Sequence, residues 1–211
     1  MKSISKDWLE KVIGKQQIDI SKNERYIEAE RLAERCHEGQ VRKYTGAPYI
    51  THCQEVVTIL SYADGVTTEA IQAAWLHDTV EDTNYTLEQV QQGFGDTVAK
   101  YVWYLTGTPK IAGNRKKRMA IDRDRLMQAP RLVKEIKCAD IISNCLNIAE
   151  LDPDFAETYL REKRHLLMEL RQHQGDFTYQ LGFVAKKLTL LPLAYKVVND
   201  GIDRLNAGGK K

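Results

Sequence analysis

The sequence predicts an all-α fold, and three observations carry that prediction. Apolar residues recur at helical spacing along most of the 211-residue chain, capping signatures precede several of those stretches, and no run alternates apolar and polar residues as a half-buried strand would. No internal repeat divides the chain.

Taken in order, residues 5–15 read as a short helix carrying Trp8, Leu9 and Ile13. Ser21-Lys-Asn-Glu24 has the spacing of a capping box and opens a helix running to about Glu38. Gly46 and Pro48 make residues 39–52 a loop, which carries Arg42, Lys43 and His52. A helix with Val56, Val57, Ile59 and Leu60 follows and ends near Asp64-Gly65. The next helix spans about Thr68 to Asp78, an apolar element whose end holds His77 and Asp78, with Glu81 and Asp82 just beyond. If the helix continues that far, His77 shares a face with Glu81, and Asp78 with Asp82. Three carboxylates and an imidazole there repel one another when buried, and a divalent cation relieves the conflict. A solvated helix end with an acidic cap is the plainer alternative.

Thr86 and Gln89 give a second capping-box spacing, for a short helix ended by Gly93 or Gly95. Val98, Tyr101, Val102 and Leu105 then mark one face of an amphipathic helix. Residues 107–114 break it, and Arg115-Lys-Lys-Arg118 opens another helix with a basic run that by itself reads as a solvated face. Pro130 suits the first turn of a helix over about 131–151. One side of that helix shows Cys138, Ile141, Ile142, Cys145, Leu146 and Ala149, and the other Ile136, Asp140, Asn144 and Ile148. A helix apolar on both sides is buried on both, so Asp140 becomes a buried acid that needs a cation or a basic partner. Asp152-Pro153 is an N-cap followed by an N1 proline, and the helix after it uses Leu160, Lys163, Leu167 and Leu170. A last helical region, 176–205, is bent or split at Pro192, and residues 206–211 form a flexible tail.

Composition narrows the functional classes. The chain is long enough for one domain, with or without a helical appendage. With 31 basic and 29 acidic residues the formal charge is +2, which argues against a general nucleic-acid binder. No apolar run reaches a membrane span, and the start has no signal-peptide core. The four cysteines, Cys36, Cys53, Cys138 and Cys145, form no CxxC pair and read as reduced and packed, so a cytoplasmic protein is expected.

His52, His77, Asp78 and Asp140 are the candidate metal ligands, gathered only if the fold unites three distant elements. Two imidazoles and two carboxylates suit Mn, Fe or Zn better than Ca or Mg. Glu81 and Asp82, one turn beyond the ligand pair, could orient and deprotonate an attacking water.

The order of these residues then resembles a known family. His37-Glu-Gly-Gln-Val-Arg-Lys43, Gly46-Ala-Pro-Tyr-Ile-Thr-His52, His77-Asp-Thr-Val-Glu-Asp-Thr83, Phe94-Gly-Asp96 and Lys137-Cys-Ala-Asp-Ile-Ile-Ser-Asn144 are similar to the HD-superfamily hydrolase domain of the RelA/SpoT alarmone enzymes, in its single-domain form. The likeness covers roughly residues 24–172. It implies an HD-domain helical bundle, which the chain is expected to form over residues 1–175, with a C-terminal helical extension over 176–205 either packed on it or used for assembly. It also implies metal-dependent hydrolysis of ppGpp or pppGpp, releasing pyrophosphate from the 3′ position. The cofactor it implies is one divalent ion, Mn²⁺, on His52, His77, Asp78 and Asp140. Glu81 and Asp82 match the catalytic pair that positions water. Arg42 and Lys43 match a basic pair near the guanine, and Asn144 a nucleotide contact. Lys110, Arg115 and Lys116 (with Lys117) fall where the family places basic residues towards phosphates. The expected partner is thus a small-molecule nucleotide, with no nucleic acid and no membrane, and with homo-oligomerisation left open. Metazoan SpoT homologues of the same type also dephosphorylate NADPH. Ile141 and Ser143 stand where bacterial bifunctional members carry an arginine and a histidine, which implies a changed pocket wall, and Cys53 stands where a proline usually follows the first metal histidine. An HD phosphohydrolase for NADPH or a deoxynucleotide is therefore the second reading, and a catalytically silent nucleotide-binding module the third.

Overall fold

A computed structural model describes residues 5–14, 17–18, 23–181 and 188–208, with side chains left out over 174–181. Among the described residues the structure is helical, and extended pairing is confined to one isolated bridge between Val41 and Pro48. The opening helix α1, Lys6–Ile13, is capped by the Ser5 hydroxyl and ends at Gly14 in the left-handed conformation. Helix α2, Glu24–Cys36, takes its cap from Asn23, whose side chain accepts from the Arg25 N–H. The expected cap residue Ser21 lies outside the described residues. Helix α3 covers Ile50–Leu60 and helix α4 Thr68–Leu76, the latter capped by Thr67.

The central helix does not continue to Asp78 as expected. It stops at Leu76, and a separate turn of helix, α5, covers Thr79–Asp82. Helix α6, Leu87–Leu105, begins in the expected Thr86/Gln89 capping box and bends at Gly95, whose φ of 84° only glycine adopts easily. Gly93 lies within its helical first part. A short 3₁₀ turn, Lys110–Ala112, precedes helix α7, Arg115–Met127, capped by Asn114. Helix α8 runs only from Arg131 to Cys145, with Pro130 just before its first turn. The chain then turns at Leu146-Asn147 and resumes as α9, Ile148–Leu151, where a single helix to 151 was expected. Asp152 caps helix α10, Pro153–Leu181, through the Phe155 N–H. The expected boundary at 175/176 falls inside α10. Helix α11, Leu191–Gly208, carries Pro192 in its first turn and includes 206–208 of the expected tail; residues 209–211 are outside the described residues.

Helix α8 is the axis of the bundle. It packs against α3, α4, α6 and α11, while α2 and α6 flank α4, and α10 lies along α11. Both of its sides are buried, as the sequence pattern requires, from Ile136 and Cys138 to Ile141, Ile142 and Cys145. Cys53, Cys138 and Cys145 are buried free thiols and Cys36 is half-buried. No helix of the described residues is long and apolar enough to cross a membrane.

Glu135 attaches α11 to this axis. Its fully buried carboxylate accepts from the Thr189 and Leu190 N–H groups at 2.6 and 3.0 Å and from Arg131 at 3.0 Å. Burial still raises its pKa above the usual glutamate value, so these bonds are what make the charged group tolerable. Glu135→Ala strands two backbone donors and should cost about 2–4 kcal/mol in urea unfolding. A loss within about 0.5 kcal/mol would show that α11 does not depend on this anchor.

Candidate active site

The turn that ends α4 and the N-terminal half of α3 bring two imidazoles together. The Nε2 atoms of His52 and His77 lie 3.3 Å apart, with both rings almost wholly buried. Asp140, from α8, places Oδ1 3.4 Å from His52 Nε2. Asp78 Oδ2 lies 3.1 Å from His77 Nε2 and 3.6 Å from His52 Nε2. The donor atoms of His52, His77 and Asp140 all fall within 4.8 Å of one another, close enough to hold one ion. The four candidate ligands, scattered over nearly ninety positions, are therefore brought together by the fold.

The partners of the outer ring nitrogens decide what this cluster can hold. Ser143 Oγ donates its proton to Glu55 Oε2 at 2.6 Å, so it accepts at 2.9 Å from His52 Nδ1–H. His77 Nδ1–H donates to the Ala74 carbonyl at 2.8 Å. Each neutral ring therefore spends its Nδ1 proton outward and leaves Nε2 facing the other imidazole and two carboxylates, free to take a cation. Such a centre needs a cation, and an acceptor bonded to each Nδ1–H is how metal-binding imidazoles are held. An N₂O₂ donor set fits a transition metal ion.

Electrostatics show the same demand for positive charge at the centre, met without an ion by a second proton on His77 that a bound cation would replace. Burial works against protonating His77, but Asp78 and Asp140 outweigh it and raise its pKa to about 9. Burial would likewise raise the two aspartates, yet both are held below the usual carboxylate range. For Asp78 the cause is His77, and for Asp140 it is foremost the Lys137 ammonium at 2.7 Å. Asn144 Nδ2 donates to Asp140 Oδ1 at 2.5 Å, and Tyr49 donates to Asp78 Oδ2 at 2.6 Å.

Glu81 and Asp82 sit on α5 at the exposed side of the cluster. Glu81 Oε2 accepts from the Gly107 N–H at 2.6 Å, and a Cβ at Gly107 would meet both Glu81 oxygens at 2.7 Å. Partial withdrawal from water, with repulsion from Asp78 and Glu81, pushes the Asp82 carboxyl above its ordinary value. The Asp82 carbonyl accepts from Gln40, whose Oε1 in turn accepts from the buried His37. His37 also packs on the Tyr49 ring, 4.9 Å between centroids, a structural role for this histidine.

Beside the cluster opens a cavity of about 600 Å³ between the 40–49 loop, α3, the end of α8 and the start of α10. His52, Arg42, Lys43, Ser143 and Asn144 line it, with Tyr49, Phe155 and Tyr159 as aromatic walls. Lys43, largely exposed, bonds Asp152 at 3.2 Å, and Tyr44 donates to the same carboxylate at 2.7 Å. Ile141 is fully buried in the core and does not face the cavity, whereas Ser143 does. Lys110, Arg115 and Lys116 are exposed and line no part of it; Arg115 is engaged by Glu162 at 2.6 and 3.1 Å.

Sequence reasoning missed four residues near this site. Lys137 and Tyr49 lie within the quoted motifs but offered no sign of what they touch. Glu55 is an acid three residues after His52, a helical neighbour whose partner only the fold reveals. Lys163 was assigned to an amphipathic face. Its ammonium lies over the Tyr159 ring, 4.9 Å from the centroid, behind the cavity wall, and burial with the nearby Lys137 lowers its pKa while Asp140 raises it.

The HD-domain family matches residues 29–175 of this chain. Guanosine-3′,5′-bis(diphosphate) 3′-pyrophosphohydrolase MESH1 of Xenopus tropicalis is 35% identical over 130 residues, covering 61% of this chain and 72% of that protein. A GTP pyrophosphokinase of Streptomyces coelicolor is 34% identical over 81% of this chain but only 19% of its own length. The chain spans about a fifth to a quarter of the long bacterial relatives it matches. A solved metazoan orthologue of SpoT, described as hydrolysing ppGpp, superposes with a TM-score of 0.70 at 23% identity, over 86% of this chain and 97% of that one. That superposition establishes the shared all-α HD bundle.

Proposed function

From the premise that this chain belongs to the HD-domain family, together with MESH1, we propose that it is a metal-dependent hydrolase of ppGpp and pppGpp. The observation that carries the reading is the convergence of the His52 and His77 Nε2 atoms with Asp78 and Asp140, at the edge of a cavity large enough for a nucleotide. The names of relatives that this chain resembles over most of its length select the substrate class.

In this reading His52, His77, Asp78 and Asp140 hold one Mn²⁺. When bound, such an ion stabilises charge on a phosphoryl oxygen and lowers the pKa of water towards neutrality. Glu81 and Asp82 orient the attacking water and take its proton, and the raised pKa of Asp82 suits it to that task. Water adds to the phosphorus of the 3′-diphosphate as the bond to the ribose 3′ oxygen breaks; that oxygen takes up a proton to become the 3′ hydroxyl of GDP or GTP, and pyrophosphate is released. Arg42 and Lys43 hold the base, and Asn144 contacts the nucleotide while bridging to Asp140. Lys110 on the 3₁₀ turn and Arg115 and Lys116 at the start of α7 stand outside the cavity, so in this reading they draw the anionic substrate in by long-range attraction rather than by contact. The domain runs through residue 175, with α11 as a buttress behind α8.

Ser143, the departure from the bacterial pattern that reaches the cavity, bonds a metal ligand and so preserves the hydrolytic core. The test is a product assay of the Mn²⁺-loaded protein against ppGpp, pppGpp, NADPH and deoxynucleotides. GDP and pyrophosphate from ppGpp are expected; cleavage of another nucleotide alone would move the substrate, and no turnover at all would overturn the enzyme reading. Arg42→Ala should raise KM for ppGpp roughly tenfold with little change in kcat, the loss of a stacking and cation–π contact worth about 1–2 kcal/mol. An unchanged KM would remove Arg42 from the base site.

A further inference from the structure

Glu55 takes part in two contacts that lead in opposite directions. Its Oε2 accepts from Arg42 at 2.6 Å, on the loop at the cavity mouth, and from Ser143 at 2.6 Å, inside the fold. Ser143 in turn accepts from His52 Nδ1. One carboxylate oxygen therefore joins the guanidinium of the base-binding loop to the imidazole of a metal ligand, across α3, α8 and the 40–49 loop.

The arrangement is more than a surface ion pair. Exposed pairs contribute about 0–1 kcal/mol and leave their partners free to move. Here the arginine side chain is only 20% exposed and Glu55 32%, while Ser143, which shares the Glu55 oxygen with Arg42, is buried. Ser143 has a single proton. As long as Glu55 is an acceptor, that proton points away from His52, and Nδ1 of the ring must be the donor. Nε2 then presents its lone pair to the centre. Without Glu55 the serine can turn its proton towards His52, which would then put its own proton on Nε2, where it blocks an ion.

We propose that Glu55, acting through Ser143, is a positioning residue that fixes the His52 tautomer for metal binding and at the same time seats Arg42, so that metal affinity and nucleotide affinity are coupled through one carboxylate. The inference rests on the metal-site reading above. By linkage, nucleotide binding that strengthens or weakens the Arg42–Glu55 bond changes Mn²⁺ affinity by the same factor that Mn²⁺ changes nucleotide affinity.

The experiment titrates Mn²⁺ calorimetrically into metal-stripped wild type, Ser143→Ala, Ser143→Thr, Glu55→Ala, Glu55→Gln and the double alanine variant, with no substrate present. KM for ppGpp is then measured at saturating Mn²⁺. Ser143→Ala is expected to raise the Mn²⁺ Kd about 10–100-fold, the usual consequence of removing the partner of a metal-binding imidazole, and Ser143→Thr to restore it to within a few-fold. Glu55→Ala should raise both the Mn²⁺ Kd and KM, with the double variant no weaker for Mn²⁺ than the weaker single one. Glu55→Gln keeps an oxygen for Ser143 but loses the charge facing Arg42, so KM should rise while the Mn²⁺ Kd stays within a few-fold. Wild-type Mn²⁺ affinity in Ser143→Ala or Glu55→Ala would overturn the proposal, as would additive losses in the double variant or failure of threonine to rescue. Wild-type protein that takes up no Mn²⁺ would instead overturn the metal-site reading beneath it.

Discussion

Asp140→Ala is expected to remove Mn²⁺ binding and, with it, hydrolysis, and to destabilise the fold at the same time. Asp140 is the buried carboxylate on the central helix and faces His52, Lys137 and Asn144 together. Removing a ligand's hydrogen-bond partner weakens metal sites about 10–100-fold, so loss of a ligand should exceed 100-fold in Mn²⁺ Kd. Lys137, whose side chain is 24% exposed, would keep its charge without its partner, and breaking a buried pair this way costs about 3 kcal/mol. Asp140→Asn separates the two effects. It retains the shape and an acceptor for Lys137, so most of the stability should return while the metal does not. Metal content after dialysis and urea unfolding read the two quantities independently. An Asp140→Ala protein that retains stoichiometric Mn²⁺ would show that the ion sits elsewhere.

What the sequence revealed and what it hid follow from the range of the interactions. The all-α class, the Thr86 capping box, the Asp152 cap and the two-sided burial of α8 are set by neighbours within a few residues, and all are present in the structure. The breaks after Leu76 and Cys145 were not legible, because apolar spacing continues through both. At the first of them the turn aims His77 into the cluster, with its Nδ1 bonded to Ala74, so a tertiary demand overrides a helical pattern. The candidate ligands stood out because buried acids and imidazoles need partners. Glu55 did not, since an acid on an otherwise apolar helix reads as its solvated edge until Ser143 and Arg42, 88 and 13 residues away, are seen beside it. The basic residues Arg115 and Lys116 show the reverse, a pattern conspicuous in sequence that lines no part of the cavity.

The double substitution Glu81→Gln, Asp82→Asn should lower kcat by about 10²–10⁴-fold while leaving Mn²⁺ and nucleotide affinities within a few-fold. Both residues lie on the exposed side of α5, outside the buried donor cluster, so neither the fold nor the ion depends on their charges. Amides preserve the shape and one acceptor oxygen each, enough to receive the Gly107 N–H, and remove the charge with the ability to take a proton. A nucleotide-sensing module would lose nothing it uses, so an unchanged, low turnover with intact binding would favour that reading over an enzyme. Gly107→Ala supplies the complementary arm. The new Cβ would lie 2.7 Å from the Glu81 oxygens and must displace them, keeping the carboxylate but moving it. Misplacement of a reacting group by about 1 Å can cost 10²-fold, so kcat should fall here too, with Mn²⁺ affinity unchanged. If the amide pair is slow and Gly107→Ala is not, proton transfer by the acidic pair matters and the Glu81–Gly107 contact does not. If both are slow, the loop after α6 is part of the catalytic geometry, because it holds the carboxylate that the chemistry requires.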